Sequence, residues 1–203
     1  MSMQLITLTA ERILSNEAAI LNMLFDEGLP LLHLRKPCSS ASEMKELLAA
    51  INPSFYQRIV VHDHFELIAL FRLKGAHLNR RNPDAPNLSS ITVSRSCHSL
   101  HAISHLEGYD YLFLSPVFDS ISKQDYIHAF TSEELRKAGS RGIINNKIMA
   151  LGGVHPANIP LAADYGYGGV AVLGALWGEY LMDGNRATLL KRFHTLTEIT
   201  GKQ

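Results

Sequence analysis

Short apolar runs recur along this chain, each followed by a segment with helical spacing, and that alternation restricts the fold more than any other feature. The runs are Gln4 to Thr9, Leu29 to Leu34, Arg58 to Val61, Gly75 to Leu78, Ile91 to Val93, Tyr111 to Leu114, Lys147 to Leu151 and Gly169 to Leu173. They read as continuous apolar strands, which is how strands buried on both faces of a parallel sheet look. The helical segments carry their own punctuation. Ser15-Asn16-Glu17 opens one whose Ile20, Leu21, Leu24 and Phe25 share a face, and Gly28 stops it. Ser40 to Glu43 is a capping box followed by Met44, Leu47, Leu48 and Ile51, with Asn52-Pro53 as the break. Phe65 to Leu73 and Leu100 to Leu106 are further helices, Thr131 to Glu134 caps another, and Pro156 opens the next. Eight such alternations predict a (β/α)8 barrel of α/β class; a doubly wound open sheet is the competing architecture. The expected organisation is a single domain over 1–203, completed by closing helices near Ala175 to Leu181 and Arg186 to Ile199.

The 203 residues suffice for one sizeable core, though they sit at the short end for this barrel. Nineteen basic and nineteen acidic residues balance, so nothing in the charge calls for nucleic acid. Cys38 and Cys97 match no metal or redox spacing and read as reduced thiols. The first residues lack a secretory pattern and no run spans a bilayer, so the expectation is a cytoplasmic protein that meets no membrane.

In a (β/α)8 barrel, chemistry collects at the carboxyl ends of the strands. Arg35 and Lys36 follow the second run, His62 and Asp63 the third, Asn79 to Asn82 the fourth, and Ser94 to His98 the fifth. Ser115 to Lys123 follow the sixth, Gly152-Gly153 the seventh and Gly174 the eighth. Gly152, Gly153 and Gly174 admit close approach of backbone N–H groups to a phosphate. Arg35 suits bidentate phosphate contact, Lys123 a point charge, and Ser96, Ser115, Ser120 and Ser122 hydrogen bonding. Asp63 reads either as a Mg2+ ligand or as the N-cap of a helix beginning at His64. His33 and His62 lie at strand ends, where an acid or base is useful. His98, His101 and His105 fall on one helix face, and a solvated face is favoured there over structural zinc.

Several segments together resemble the thiamine phosphate synthase / thiazole tautomerase (TenI) family over about His33 to Ala175. His33-Leu34-Arg35-Lys36-Pro37 is similar to the family's Gln-Leu-Arg-x-Lys, and Val61-His62-Asp63 to its Ile-Asn-Asp. Gly75 to Leu78 is similar to its Gly-Val-His-Leu, and Ser115 to Lys123 to its Gly-Pro-Val-Phe-x-Thr-x-Thr-Lys. Ala150 to Val154 and Gly169 to Val172 are similar to its last two strands. The resemblance implies a synthase joining hydroxymethylpyrimidine diphosphate to a thiazole phosphate with loss of diphosphate. Arg35, Lys123 and Mg2+ at Asp63 and Asn82 would hold the diphosphate. Gly152, Gly153 and Gly174 would hold the thiazole phosphate, Lys36, Ser96, Ser115, Ser120 and Ser122 would bind substrate, and a homodimer is allowed.

Departures from the family pattern are concentrated in the diphosphate half. Its glutamine is His33, its asparagine His62, its second aspartate Asn82 (with Asp84 two residues on), and its lysine falls on Pro37. Its hydroxyl residue after strand eight is Gly174. Three functions follow: the synthase, favoured; a TenI-like thiazole tautomerase with His33 or His62 moving the proton, since the tautomerase's own histidine position is Pro116; and a non-catalytic binder of thiazole or thiamine phosphate.

Overall fold

The computed structural model describes residues 2–119 and 129–201. Eight strands follow one another in chain order as a closed barrel, β1 through β8, so the (β/α)8 fold is the one observed and the open sheet is excluded. The chain divides into two compact units, Thr7–Ser94 and Met1–Ile6 with Arg95–Gln203.

The Thr7–Ser94 unit holds the end of β1 (Gln4–Leu8), then α1 (Glu17–Asp26), β2 (Leu32–Leu34), α2 (Ala41–Ala49), β3 (Ile59–Val61), α3 (Glu66–Phe71), β4 (Gly75–Leu78) and the start of β5 (Thr92–Cys97). Its strands are parallel, with Leu8 paired to His33, His33 to Val60 and Val60 to Gly75. Paired positions in a sheet share a face, and residues two apart stay on it. α1 buries Ile20, Leu21, Leu24 and Phe25, the face its spacing predicts, and Gly28 leaves the helix at φ 95°. Each such leucine contributes about 1.5–3 kcal/mol. Phe25 stacks on Phe55 at 4.8 Å. Phe55 comes from a 3-10 turn, Pro53–Arg58, where the sequence shows only a helix break. Both bonds of the Ser40–Glu43 capping box are made.

The other unit holds α4 (Leu100–Ser104), β6 (Tyr111–Leu114), α5 (Ser132–Ser140), β7 (Ile148–Leu151), α6 (Ile159–Asp164), β8 (Gly169–Val172), α7 (Gly174–Trp177), α8 (Tyr180–Asp183) and α9 (Arg186–Gly201). Leu114 pairs with Ala150, and Ala150 with Val170. Met3 N–H donates to the Thr200 carbonyl at 2.9 Å, tying the first residues to α9, which buries Leu189, Phe193 and Leu196. Three boundaries differ from expectation. α6 starts at Ile159 with Pro160, not Pro156, in its first turn. The helix expected near Ala175 to Leu181 is two short ones, α7 and α8. β5 runs on to Cys97, so Ser94 and Ser96 lie within the strand and not after it. No helix among the described residues is long and apolar enough to cross a membrane.

Candidate active site

In the Thr7–Ser94 unit the strand register gathers three imidazoles. His33 lies in β2, His62 follows Val60 by two residues, and His77 follows Gly75 by two, so all three occupy one face. His33 Nδ1 and His62 Nε2 share a hydrogen bond of 2.9 Å, and the His62 and His77 rings stack at 4.3 Å. His77 Nδ1 is 2.8 Å from Ser94 Oγ, which explains the buried serine inside β5. All three rings are buried. Burial, then the charge of His77, holds His33 well below the ordinary histidine range. Burial first, and the neighbouring imidazoles with Arg35 and Arg81 after it, do the same to His62. Burial and Arg35 bring His77 down to about 3. The cluster is therefore neutral at pH 7. Its ligand atoms lie within 4.8 Å of one another, close enough for a transition metal. The nearby positive charges of Arg35 and Arg81, which contribute to the low basicity of His62, also oppose a metal cation beside it.

The cations expected around this cluster have different standings. Arg35 pairs with Glu11 at 2.6 Å, with both side chains partly in water. Such a surface pair is worth about 0–1 kcal/mol, so Arg35 is available to a substrate anion. Lys36 is not, and its assignment to substrate binding is corrected here. Its Nζ donates to both Glu17 oxygens at 2.6 and 2.8 Å and to the Ala10 and Arg12 carbonyls at 2.7 and 2.8 Å. Both side chains of the pair have zero exposure, which leaves no donor for a ligand. Asp63 is not the N-cap of α3, which starts at Glu66 after Phe65. Its Oδ1 and Oδ2 accept from Arg81 Nη2 at 3.1 and 3.2 Å, and Oδ1 also accepts from Asn82 Nδ2 at 2.8 Å. Asn79 Nδ2 and Asn82 Nδ2 both donate to the His62 carbonyl, while Asn79 Oδ1 receives the Arg81 and Asn82 backbone N–H groups.

The other unit carries the glycine turn. Gly152 and Gly153 leave β7 in left-handed conformations, φ 91° and 65°. A Cβ on Gly152 would lie 2.8 Å from Pro116 Cα, and one on Gly153 would lie 2.3 and 2.4 Å from the Asp119 and Phe118 carbonyl oxygens. Val117 N–H donates to the Leu151 carbonyl and Phe118 N–H to the Gly152 carbonyl, at 3.0 and 3.1 Å. Asn158 Nδ2 donates to the Gly153 carbonyl at 2.9 Å. The turn after β7 and the start of the loop after β6 are thus zipped together, with both glycines required by the approach. Gly174 opens α7, and a Cβ there would meet nothing. Ser115 and Ser96 are half-buried, and His98 Nδ1 donates to the Ser115 carbonyl at 2.9 Å. Ser120, Ser122 and Lys123 lie outside the described residues. His101 and His105 touch edge to face on an exposed surface. A cavity of about 440 Å³, lined in part by Tyr111, Arg141 and Lys147, opens at the amino ends of β6 and β7, away from the glycine turn.

The profile of the TMP-TENI family, described as thiamine monophosphate synthase, matches residues 3–176. The chain belongs to the thiamine monophosphate synthase family. A thiamine-phosphate synthase of Geobacillus kaustophilus is 28% identical over 171 residues, covering 78% of this chain and 77% of the relative. The crystal structure of a thiamine phosphate pyrophosphorylase from Bacteroides thetaiotaomicron superposes with a TM-score of 0.88 at 40% identity, covering 97% of each chain. One from Pyrococcus furiosus, at 20% identity, a TM-score of 0.71 and 96% of each chain, shares the fold. This member of the thiamine monophosphate synthase family is a thiamine-biosynthesis enzyme of transferase type.

Within that family the resemblance implies Mg2+ at Asp63 and Asn82, and the residues present do not fit it. Mg2+ asks for oxygen ligands in near-octahedral array. Here one carboxylate is neutralised by a guanidinium, and Asn82 presents an N–H to it. Asp84 is exposed. Reading the strand ends gave Arg81 only as part of the stretch Asn79 to Asn82, with no role of its own, and His77 only as part of the Gly75 to Leu78 strand. The Arg80-Arg81 pair beside Asn82 was a visible signal for the first; His77 gave none, because a lone histidine in an apolar strand looks like core.

Proposed function

We propose that the protein is a thiamine-phosphate synthase, joining hydroxymethylpyrimidine diphosphate to thiazole phosphate. The bond from the pyrimidine methylene carbon to the diphosphate oxygen breaks, and diphosphate leaves with the electron pair. The thiazole nitrogen then donates its lone pair to the carbon, forming the C–N bond. Arg35 serves the diphosphate, bidentately once it turns from Glu11. The Gly152–Gly153 turn serves the thiazole phosphate through backbone N–H groups. The neutral His33–His62 pair stands at the positions where the family carries glutamine and asparagine, and supplies hydrogen bonding in their place. Ser96, Ser115, Gly174 and, in the segment 120–128, Ser120, Ser122 and Lys123 complete the proposed substrate contacts. Much of the rate comes from holding two substrates in line.

The observation that carries this reading is the glycine turn, with its close approach to Pro116 and Asp119, in a chain 40% identical to a thiamine phosphate pyrophosphorylase. Incubation with both substrates, following diphosphate release and thiamine phosphate by chromatography, tests it. Formation of both products together is expected; neither product above background overturns it. Isomerisation of a thiazole carboxylate phosphate without any coupling would point to the tautomerase.

Gly153→Ala is expected to destabilise the fold by about 1–3 kcal/mol, because a left-handed residue acquires a Cβ against two carbonyl oxygens. Denaturant unfolding reads that cost. Titration with thiazole phosphate reads the accompanying weakening, expected at tenfold or more, while the affinity for pyrimidine diphosphate stays within about twofold.

A further inference from the structure

The misfit of Mg2+ has a positive counterpart, and it rests on the synthase reading above. We propose that Arg81 replaces the divalent cation: it is the built-in positive charge that binds the organic diphosphate and takes up charge as that group leaves. The guanidinium is not a stray surface cation. Asp63, with its side chain 12% exposed, holds Arg81 through both carboxylate oxygens, with Nε as a third donor at 3.3 Å. Asn79 Oδ1 fixes the Arg81 backbone N–H at 2.9 Å, and Asn82 braces Asp63 from the other side at 2.8 Å.

A guanidinium has five N–H donors, and these contacts come from Nε and Nη2, so Nη1 keeps its donors for an anion. The Arg81 side chain is 46% exposed, so an anion can reach it. The exchange also makes sense of the substitutions around it. With Arg81 on Asp63, a carboxylate at position 82 would face its neighbour across about 3 Å, setting two negative charges against the one guanidinium bound there. An amide bonds to the same oxygen and repels nothing. Asn82 is therefore the expected partner of an arginine-filled site, and an aspartate the expected partner of a metal-filled one. An arginine supplies planar, bidentate phosphate contact and cannot lose its charge near neutral pH.

The test pairs metal binding with turnover. Titration of the wild-type protein with Mn2+ alone, followed by electron paramagnetic resonance, is expected to show no site tighter than millimolar. In Arg81→Ala/Asn82→Asp a Mn2+ site at least tenfold tighter should appear. Diphosphate release by the wild-type protein should proceed in excess chelator at a rate within about twofold of that with Mg2+. Arg81→Ala should lose 10²- to 10³-fold in kcat/KM, and the double variant should regain activity only with Mg2+. Tight Mn2+ binding by the wild type, or turnover abolished by chelator, overturns the proposal. Absence of coupling under every condition sinks the synthase reading instead, and the Mn2+ titrations still decide what occupies Asp63.

Discussion

Replacing Lys36 by methionine is expected to lower folding stability by about 3–5 kcal/mol, the cost of leaving one member of a buried ion pair without its partner. Lys36 Nζ meets four acceptors between 2.6 and 2.8 Å, two of them the oxygens of Glu17, and neither side chain reaches water. Burial pushes Glu17 up from its ordinary value and Lys36 down, while each is drawn back by its partner's charge. Desolvation is the larger effect on each group, so the pair is held by mutual need and is not a source of surplus stability. Removing Lys36 strands the Glu17 carboxylate and frees the Ala10 and Arg12 carbonyls as well. The double variant Lys36→Met/Glu17→Leu should therefore recover most of the loss. Urea unfolding of the three proteins measures both numbers. A Lys36→Met protein as stable as the wild type would return Lys36 to the list of substrate-binding candidates.

That pair also marks where reading the sequence stops. The eight strands and most helices were legible because each is a local pattern: a short apolar run, a capping box such as Ser40 to Glu43, a glycine such as Gly28 at a helix end. β5 was read short because Ser94, Arg95 and Ser96 interrupt its apolar run. Their polar groups are satisfied by distant residues, Ser94 by His77 and Arg95 by the Tyr109 hydroxyl at 3.2 Å. Glu17 and Lys36 lie 19 positions apart on a helix and past a strand, and nothing local joins them. Position at or just past a strand end pointed to His33, Arg35, His62 and Asp63 together, and the structure holds His33 and His62 in contact. Position could not tell a partly exposed cation from a buried one: Arg35 and Lys36 are adjacent, yet one is paired at the surface and the other fills a buried charge site. The Arg81–Asp63 contact depends on where the loop after β4 folds, a tertiary fact with no signature in spacing.

Acid is expected to begin destabilising this protein near pH 6.5, before its carboxylates start to take up protons. His33, His62 and His77 are buried and neutral in the folded state, with His77 at about 3 against an ordinary histidine value of 6.5. Between those two values the unfolded chain binds a proton on that residue and the folded chain does not. Stability therefore rises with pH through this window, is fully present above about 6.5, and is lost as the pH falls below it. One proton difference is worth about 1.4 kcal/mol per pH unit, so the three imidazoles together give a slope near 4 kcal/mol per unit once all are engaged. Against a total stability of about 5–15 kcal/mol, a fall of roughly one to four pH units at that slope suffices for unfolding. His62→Asn and His33→Gln restore the residues that the family pattern places there, and each removes one titrating group. Each should reduce the slope of the urea midpoint between pH 6 and 4 by about a third. The exposed His101 lies outside the buried cluster, so His101→Asn is the control that leaves the slope unchanged. A midpoint that stays flat from pH 7 to pH 5 would mean that the cluster accepts protons in the folded state, and with them the positive charge that Arg35 and Arg81 oppose.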